Sequence, residues 1–414
     1  MSSFVSEEPR ISIAKIQSTC VIFLFYLTQV IVTRRTAIWL VAVMILSGAA
    51  GTAYSLYDLA RGRGVVVESL TGDSPLRANI LPGDAVWRVN GKRVYSVADV
   101  DAVLRNAGAD SSISLSVISH GEHVERRDIR LSEEAKRLPS PSGITGNQAS
   151  HRFRASGWTR HYETYAEILQ MLAQLALGLA LAHFANHGFN RWSRIAFAAA
   201  GLLALGLLLT AMRTSISAFA VAALMISWRA LRGRARAATL IAIVGVVIVG
   251  AGVIYQTRAQ NALSLRDPSS SLRLQVAKIG ASRIMLHPLF GHGMDSMHAH
   301  WQEWGFPGSD MLHLHSTPLQ LAFDRGLPAL FFWLWIVFLF WQTVWRTEKS
   351  LRETAYTSRF GLTLGAMGAL IGFFLSSLVN YNLGDGEVAL VFWWLLGIVV
   401  VISNTTEEHR RAVR

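Results

Sequence analysis

The sequence predicts a mostly α, polytopic helical membrane protein of eight or nine transmembrane helices that carries a small extracytoplasmic α+β domain. Three observations predict it. Hydrophobic residues make up 51% of the 414-residue chain and charged residues only 16%, a balance unlike that of soluble globular domains. Apolar runs approaching the roughly 20 residues needed to cross a bilayer core of about 30 Å recur along the chain. Basic residues cluster beside those runs at alternate ends, as the positive-inside bias requires of cytoplasmic flanks.

Taken in order, the runs are Ala37 to Leu56, Ala166 to Phe184, Ile195 to Leu209, Thr214 to Trp228, Leu240 to Tyr255, Leu330 to Val344, Leu362 to Leu378 and Ala389 to Ile402. A ninth and shorter one is Gln17 to Thr33. The cationic flanks are Arg34 and Arg35, Arg191 and Arg194, the group Arg229, Arg232, Arg234 and Arg236, then Arg346, Lys349 and Arg352, and finally Arg410 and Arg411. The connection Asn380 to Glu387 carries Asp385 and Glu387 and no Lys or Arg, as an outside loop should. Two long segments, Ala60 to Tyr162 and Gln256 to Pro328, then lie outside. Arg61, Arg63, Arg152, Arg154 and Arg160 run against this orientation, but long loops weigh little in it.

Those boundaries divide the chain into an N-terminal membrane segment (1–60), a folded insert (61–134), a linker (135–160), helices (161–256), an outside loop (257–328) and C-terminal helices (329–414). The net charge of +12 is spent on topology, so nucleic acid is not an expected partner and membrane lipids are. The single cysteine, Cys20, supports neither a disulfide framework nor a thiolate metal site. The N-terminal apolar stretch has no small-residue cleavage pattern, so the protein is expected to stay anchored.

From Gly64 to Leu131 continuous apolar runs give way to short alternating ones broken by Pro82-Gly83-Asp84 and Asn90-Gly91, a β pattern with turn signals. Strand, Pro-Gly-Asp turn, Asn-Gly hairpin, short helix and closing strands come in an order that resembles a PDZ domain. The resemblance implies a strand-addition edge at Gly64, Val65, Val66 and Val67 for a peptide or protein C-terminus, or a spacer that keeps the fold without the ligand. The Ser-, Pro- and Gly-rich stretch Pro139 to Asn147 reads as a linker back to the membrane.

The second outside loop carries His287, His292, His298, His300, His313 and His315 with Arg258, Arg266, Arg273 and Arg283. Imidazole is a common metal ligand, yet no neighbouring Cys or Glu-x-x-His completes a zinc set, so no metal is expected there. The absence of His-Glu-x-x-His also excludes an intramembrane metalloprotease. Arg213 interrupts an apolar stretch at an outer membrane boundary, where an ionisable residue points to function rather than packing. A guanidinium is always protonated and grips phosphate through two N–H groups.

Four strings run into an apolar helix: Asp267-Pro-Ser-Ser-Ser-Leu-Arg273, His287-Pro-Leu-Phe-Gly-His-Gly293, Leu312-His-Leu-His-Ser-Thr-Pro-Leu-Gln320 and Asp324-Arg-Gly-Leu-Pro328. With Gly157 to Ala166 and Thr210 to Ser215 they resemble the O-antigen ligase and polymerase superfamily over about Gly157 to Ile402. His315-Ser316, nine further residues and Gly326 fit the family motif, which departs only at Ala329, where Gly, Thr or Tyr is usual. Fewer helices precede the region than in the family's usual set.

The resemblance implies a GT-C-like ligase fold in a bacterial inner membrane, with the insert and the His315 loop in the periplasm. The implied donor is an undecaprenyl diphosphate-linked glycan and the implied acceptor a lipid A core sugar or another hydroxyl, with no cofactor. His315 would act as general base or orient the diphosphate, and Arg213 and Arg273 would bind it. His161 and Tyr162 are weaker candidates for donor contact, and Asp267 for orienting Arg273. A polymerase, a protein O-oligosaccharyltransferase and a non-catalytic PDZ scaffold are the alternative readings.

Overall fold

The computed structural model describes all residues except 1, 2, 4, 5, 63, 109–111, 120–122, 150–153, 160, 258–267, 308–312, 353–356 and 414. The chain divides into two compact units, one of residues 1–49 with 166–414 and one of Ala50–Tyr165. Each is described by itself.

In chain order the first unit opens with α1 (Pro9–Ala14), α2 (Ile16–Thr19) and α3 (Phe23–Ile31), which form one apolar stretch from Pro9 to Ile31, and then α4 (Arg34–Arg61). The second unit adds β1 (Val65–Leu70), β2 (Ala85–Val89), β3 (Lys92–Arg93), α5 (Val97–Arg105), β4 (Ser112–Ser119), β5 (His123–Arg130), α6 (Glu133–Lys136) and β6 (Ile144–Ala149). The remaining helices are α7 (Tyr162–His187), α8 (Arg191–Leu209), α9 (Arg213–Ala230), α10 (Gly233–Thr257), α11 (Pro268–Ile284), α12 (Ser296–His300), α13 (Thr317–Arg325), α14 (Leu327–Leu351), α15 (Thr357–Ser377) and α16 (Gly386–Val413).

Among the described residues seven helical stretches are long and apolar enough to cross a membrane: Pro9–Ile31, α4, α7, α8, α14, α15 and the Gly386–Asn404 part of α16. The short run at Gln17 to Thr33 therefore begins earlier, at Pro9, and reaches spanning length by Ile31. Helices α9 and α10 cover the two other apolar runs read from the sequence.

Helices α7 and α15 form the centre of the bundle. The apolar window of α15 is 83% buried and that of α14 only 11%, so α15 is an interior helix and α14 faces lipid. Small residues explain the close α7–α15 contact. A Cβ on Gly178 would lie 2.5 Å from the Gly361 carbonyl, and one on Gly365 would lie 2.6 Å from the Cα of Leu175. This is small-residue packing of the kind that drives helix association where lipid offers no hydrophobic gain. The pairing is antiparallel, because Gln174 meets Gly368 while Gln170 meets Gly372.

The second unit is a sheet in the order β5-β4-β2-β1-β6 with β3 paired to β2. Val65, Val67, Val86, Leu115, Val117 and Ile129 point to one buried core with Val100 and Leu104 of α5, the alternation expected of strands with one covered face. Ser96 opens α5 with a capping box to Asp99. Gly64 adopts φ of +79°, and a Cβ there would strike the Val86 carbonyl at 2.5 Å.

Two sequence readings are corrected in this unit. The edge expected to be open at Gly64 to Val67 is closed, because β1 pairs with β2 on one side and with β6 on the other, with Val65 opposite Ala149 and Val67 opposite Asn147. The stretch read as a linker supplies that strand. Its Ser, Pro and Gly content hid a β6 whose pairing depends on backbone hydrogen bonds rather than on side-chain alternation. The closure satisfies the otherwise exposed edge groups of β1.

Candidate functional site

Two of the sequence motifs interlock through their backbones. The His292 N–H donates to the Phe323 carbonyl at 2.8 Å, Gly293 N–H to Asp324 carbonyl at 3.0 Å, and Leu327 N–H to Pro288 carbonyl at 2.7 Å. That approach dictates glycine at two motif positions. A Cβ on Gly291 would lie 2.5 Å from the Arg325 nitrogen and one on Gly326 would run into the Leu289 backbone, and both residues have positive φ. Behind the interlock, Val276, Ile284, Met297, Trp301, Trp304, Phe306, Leu314 and Phe323 form a small core. It fixes α11 against α13.

His315 sits just before α13 with φ of +51°. A left-handed conformation at a non-glycine residue costs on the order of 1–3 kcal/mol and persists only where the surroundings enforce it. The enforcing contacts lie on both sides. Leu314 N–H donates to Gln320 Oε1 at 2.7 Å, and the Gln320 amide donates in turn to Asp324 Oδ1 at 2.8 Å. Thr317 N–H and Oγ1 donate to the Asn380 carbonyl at 3.0 and 3.1 Å, and Thr317 Oγ1 also lies 2.7 Å from Asn382 Oδ1. Asn382 is anchored by its own amide to the Phe373 carbonyl at 3.2 Å and Ser376 Oγ at 3.1 Å.

His315 is therefore half-buried between α13 and the α15–α16 connection. Its centroid is 4.5 Å from that of His313, which is 5.7 Å from Tyr381. Burial pushes the carboxyl of Asp324 up to about 7 and raises the phenol of Tyr381 well above its usual range. Both groups thus favour neutral forms.

Arg213 is the first residue of α9, two residues after Ala211, which has φ of +51°. Its end of the bundle follows from packing. Ile226, near the other end of α9, lies 3.2 Å from a Cβ placed on Gly368 of α15. Arg229 bonds Glu348 at 2.6 Å, near the close of α14. The start of α9 accordingly lies toward the end of α15, where Asn380 and Asn382 receive α13. Arg273 lies on α11 on the same helical face as Val276 and Gly280. Gly280 is where α11 meets the Leu314 side chain, at 2.5 Å from a built Cβ to Cδ2. The structure thus brings the elements carrying Arg213, Arg273 and His315 to one end of the first unit.

Residues 198–334 match a family described as O-antigen ligase. The match spans about a third of the chain and contains Arg213, Arg273 and His315. It supports the superfamily resemblance and an O-antigen ligase or polymerase type of function. No curated protein matches the chain.

The weaker candidates fall elsewhere. His161 and Tyr162 belong to the second unit, where their rings stack at 4.8 Å and Arg154 sits 4.0 Å over the tyrosine ring. Asp267 lies outside the described residues. Four residues that hold the His315 turn were missed by sequence reasoning. Asn380 and Asn382 registered only as part of an outside loop, and Gln320 with Asp324 only as motif letters. Glu167 of α7 is 5% exposed, one turn beyond Gln170 toward the same end of the bundle. An acidic residue at that depth in a spanning helix was a legible signal.

Proposed function

We propose that the protein is an inner-membrane glycan transferase that moves a glycan from undecaprenyl diphosphate to a hydroxyl of a lipid A core sugar on the periplasmic side. His315 acts as general base and Arg213 and Arg273 hold the diphosphate. The observation that carries this reading is the enforced left-handed backbone at His315, a half-buried residue whose α13 packs on α11, the bearer of Arg273, at the end of the bundle where α9 begins with Arg213.

The chemistry follows from those residues. A neutral imidazole has an ordinary pKa of about 6.5 and accepts a proton near physiological pH. It takes the acceptor hydroxyl proton as the oxygen attacks the anomeric carbon. The bond from that carbon to the diphosphate oxygen breaks, and the charge left on the lipid diphosphate is met by two guanidiniums, each able to present parallel N–H donors. The basic flanks at Arg191, Arg229, Arg232 and Arg352 lie at the opposite helix ends, which supports a periplasmic site. The inserted unit is read as a PDZ-like module whose β1 edge is taken by its own β6.

The test is a cell carrying His315→Ala. Carrier-linked glycan accumulates and the lipid A core stays bare if the proposal holds. Unchanged glycan on the core overturns it. Single repeats on the core would assign polymerase rather than ligase chemistry, and glycan lost from proteins alone would assign protein glycosylation.

A further inference from the structure

Outside the site just described, the N-terminal segment returns to the His287–Gly293 turn and places a carboxylate against two imidazoles. One ligand atom from each of Glu7, His287 and His292 lies within 4.8 Å of the others. We propose that these three residues bind a divalent metal ion of the zinc class, which fastens the segment around α1 to the histidine-bearing loop.

The contacts on the two ring nitrogens of His292 carry the argument. Its ring is 1% exposed, and Nε2 lies 3.0 Å from the Arg283 carbonyl oxygen. A carbonyl oxygen only accepts, so Nε2 bears the hydrogen. The neutral ring then presents a lone pair at Nδ1, 2.8 Å from Glu7 Oε1, which is also an acceptor. Two acceptors at that separation need a cation to join them. A second proton on His292 would serve, but a second imidazole converges on the same oxygen, with His287 Nε2 at 3.5 Å and the two ring centroids 4.6 Å apart. Two imidazole nitrogens that converge on one carboxylate oxygen, one of them left as a lone pair by the Arg283 carbonyl, form a ligand set that a cation can join.

The donor types choose the metal. Two imidazole nitrogens and one carboxylate oxygen, without thiolate, form a three-ligand set that zinc accepts with water in the fourth position. The Arg283 carbonyl occupies the outer-shell place that fixes the tautomer of a metal-bound histidine.

The arrangement is also organised in advance by contacts that do not involve the ion. Ser6 Oγ donates to the His292 carbonyl at 2.9 Å, Ser12 Oγ to the Met294 carbonyl at 2.9 Å, and Lys15 pairs with Asp295 at 3.1 Å. The His292 ring is stacked on Phe323 of α13 at 4.6 Å. A bound ion would therefore brace α13 from behind while taking no part in transfer. The proposal is independent of the glycan reading.

The experiment uses the full chain in detergent, stripped with a chelator and titrated with Co²⁺ as a spectroscopic probe and then with Zn²⁺. Visible d–d bands that saturate at one ion per chain and are displaced by Zn²⁺ are expected. His287→Ala and Glu7→Gln, both at exposed positions, should each weaken binding by more than about 100-fold, beyond the 10–100-fold that loss of an outer-shell partner brings. His298→Ala, an exposed histidine of the same loop, should leave it unchanged. Absence of Co²⁺ bands in the unaltered protein overturns the proposal and assigns Glu7 and His292 to an imidazolium pair. Equal binding by the His287→Ala, Glu7→Gln and unaltered proteins also overturns it.

Discussion

Two histidine-bearing turns lie on either side of α13 and differ in almost every physical respect. At the His287–Gly293 turn the His292 ring is buried, stacked on Phe323, and engaged at both nitrogens, by Glu7 at 2.8 Å and by the Arg283 carbonyl at 3.0 Å. At the Leu314–Thr317 turn His315 is half-buried and its backbone is left-handed. A buried ring engaged at both nitrogens is fixed in orientation and is suited to holding structure. A half-buried ring on a strained backbone fits the proton exchange proposed for His315. The difference teaches that histidine content alone assigns nothing, and that burial and local conformation sort the six loop histidines into roles.

The sharpest way to break the comparison is to exchange the expected consequences of removing each ring. His315→Ala should lower glycan transfer by about 10²–10⁴-fold, the range of general-base contributions, with the unfolding midpoint nearly unmoved. If purified enzyme given carrier-linked glycan keeps its rate, the proton-transfer role is wrong. His292→Ala should do the reverse. It removes a packed ring and leaves the Arg283 carbonyl without its donor, a loss of about 2–4 kcal/mol of stability. Thermal unfolding in detergent measures it, and a stability equal to that of the unaltered protein would remove the structural role.

Much of the architecture was legible because hydropathy and charge act over whole segments. Each apolar run from Ala37 onward lies within a helix, apart from the last residue of the Leu362 to Leu378 run, since a chain in lipid must satisfy its backbone internally and helices do so locally. The motif histidines and arginines were singled out for a different reason, their spacing before an apolar helix. What stayed hidden depends on contacts distant in sequence. Asn382 reaches Thr317 across 65 residues, Glu7 reaches His292 across 285, and no periodicity marks either end. The closed β1 edge was hidden because β6 is short and rich in turn formers, so its pairing was decided by the register against Val65 to Leu70 rather than by its composition.

A pH series probes the element between the two turns. The Asp324 carbonyl accepts from Gly293, while its carboxylate takes the Gln320 amide that holds Leu314. Burial raises this carboxyl to about 7, above the roughly 3.9 of an exposed aspartate. A group with a raised acid constant favours the folded state most below its unfolded value. Its stabilisation is therefore complete below about pH 4 and is lost as pH rises through about 7. Hydrogen exchange at α13 should quicken over that window, by on the order of tenfold or more, and Asp324→Asn should flatten the profile. An equally steep profile in that variant would place the titration elsewhere.

The smallest effect tests how the strain at His315 is maintained. If the α15–α16 connection enforces the left-handed turn, Thr317 and Asn382 must be energetically coupled through the 2.7 Å bond between Thr317 Oγ1 and Asn382 Oδ1. Asn382→Ala should lose about 1–3 kcal/mol, because it removes the shorter partner of the buried Thr317 hydroxyl as well as the bonds to Phe373 and Ser376. Thr317→Val should lose about 1 kcal/mol, and the double variant should fall short of the sum by roughly 0.5–1.5 kcal/mol, as contacting partners do. Strict additivity would mean that the two residues brace different structures. Transfer should also slow in both single variants while donor affinity holds, since the bond positions the base and does not touch the diphosphate. A change in donor affinity without a change in rate would move Asn382 from support of His315 to contact with substrate.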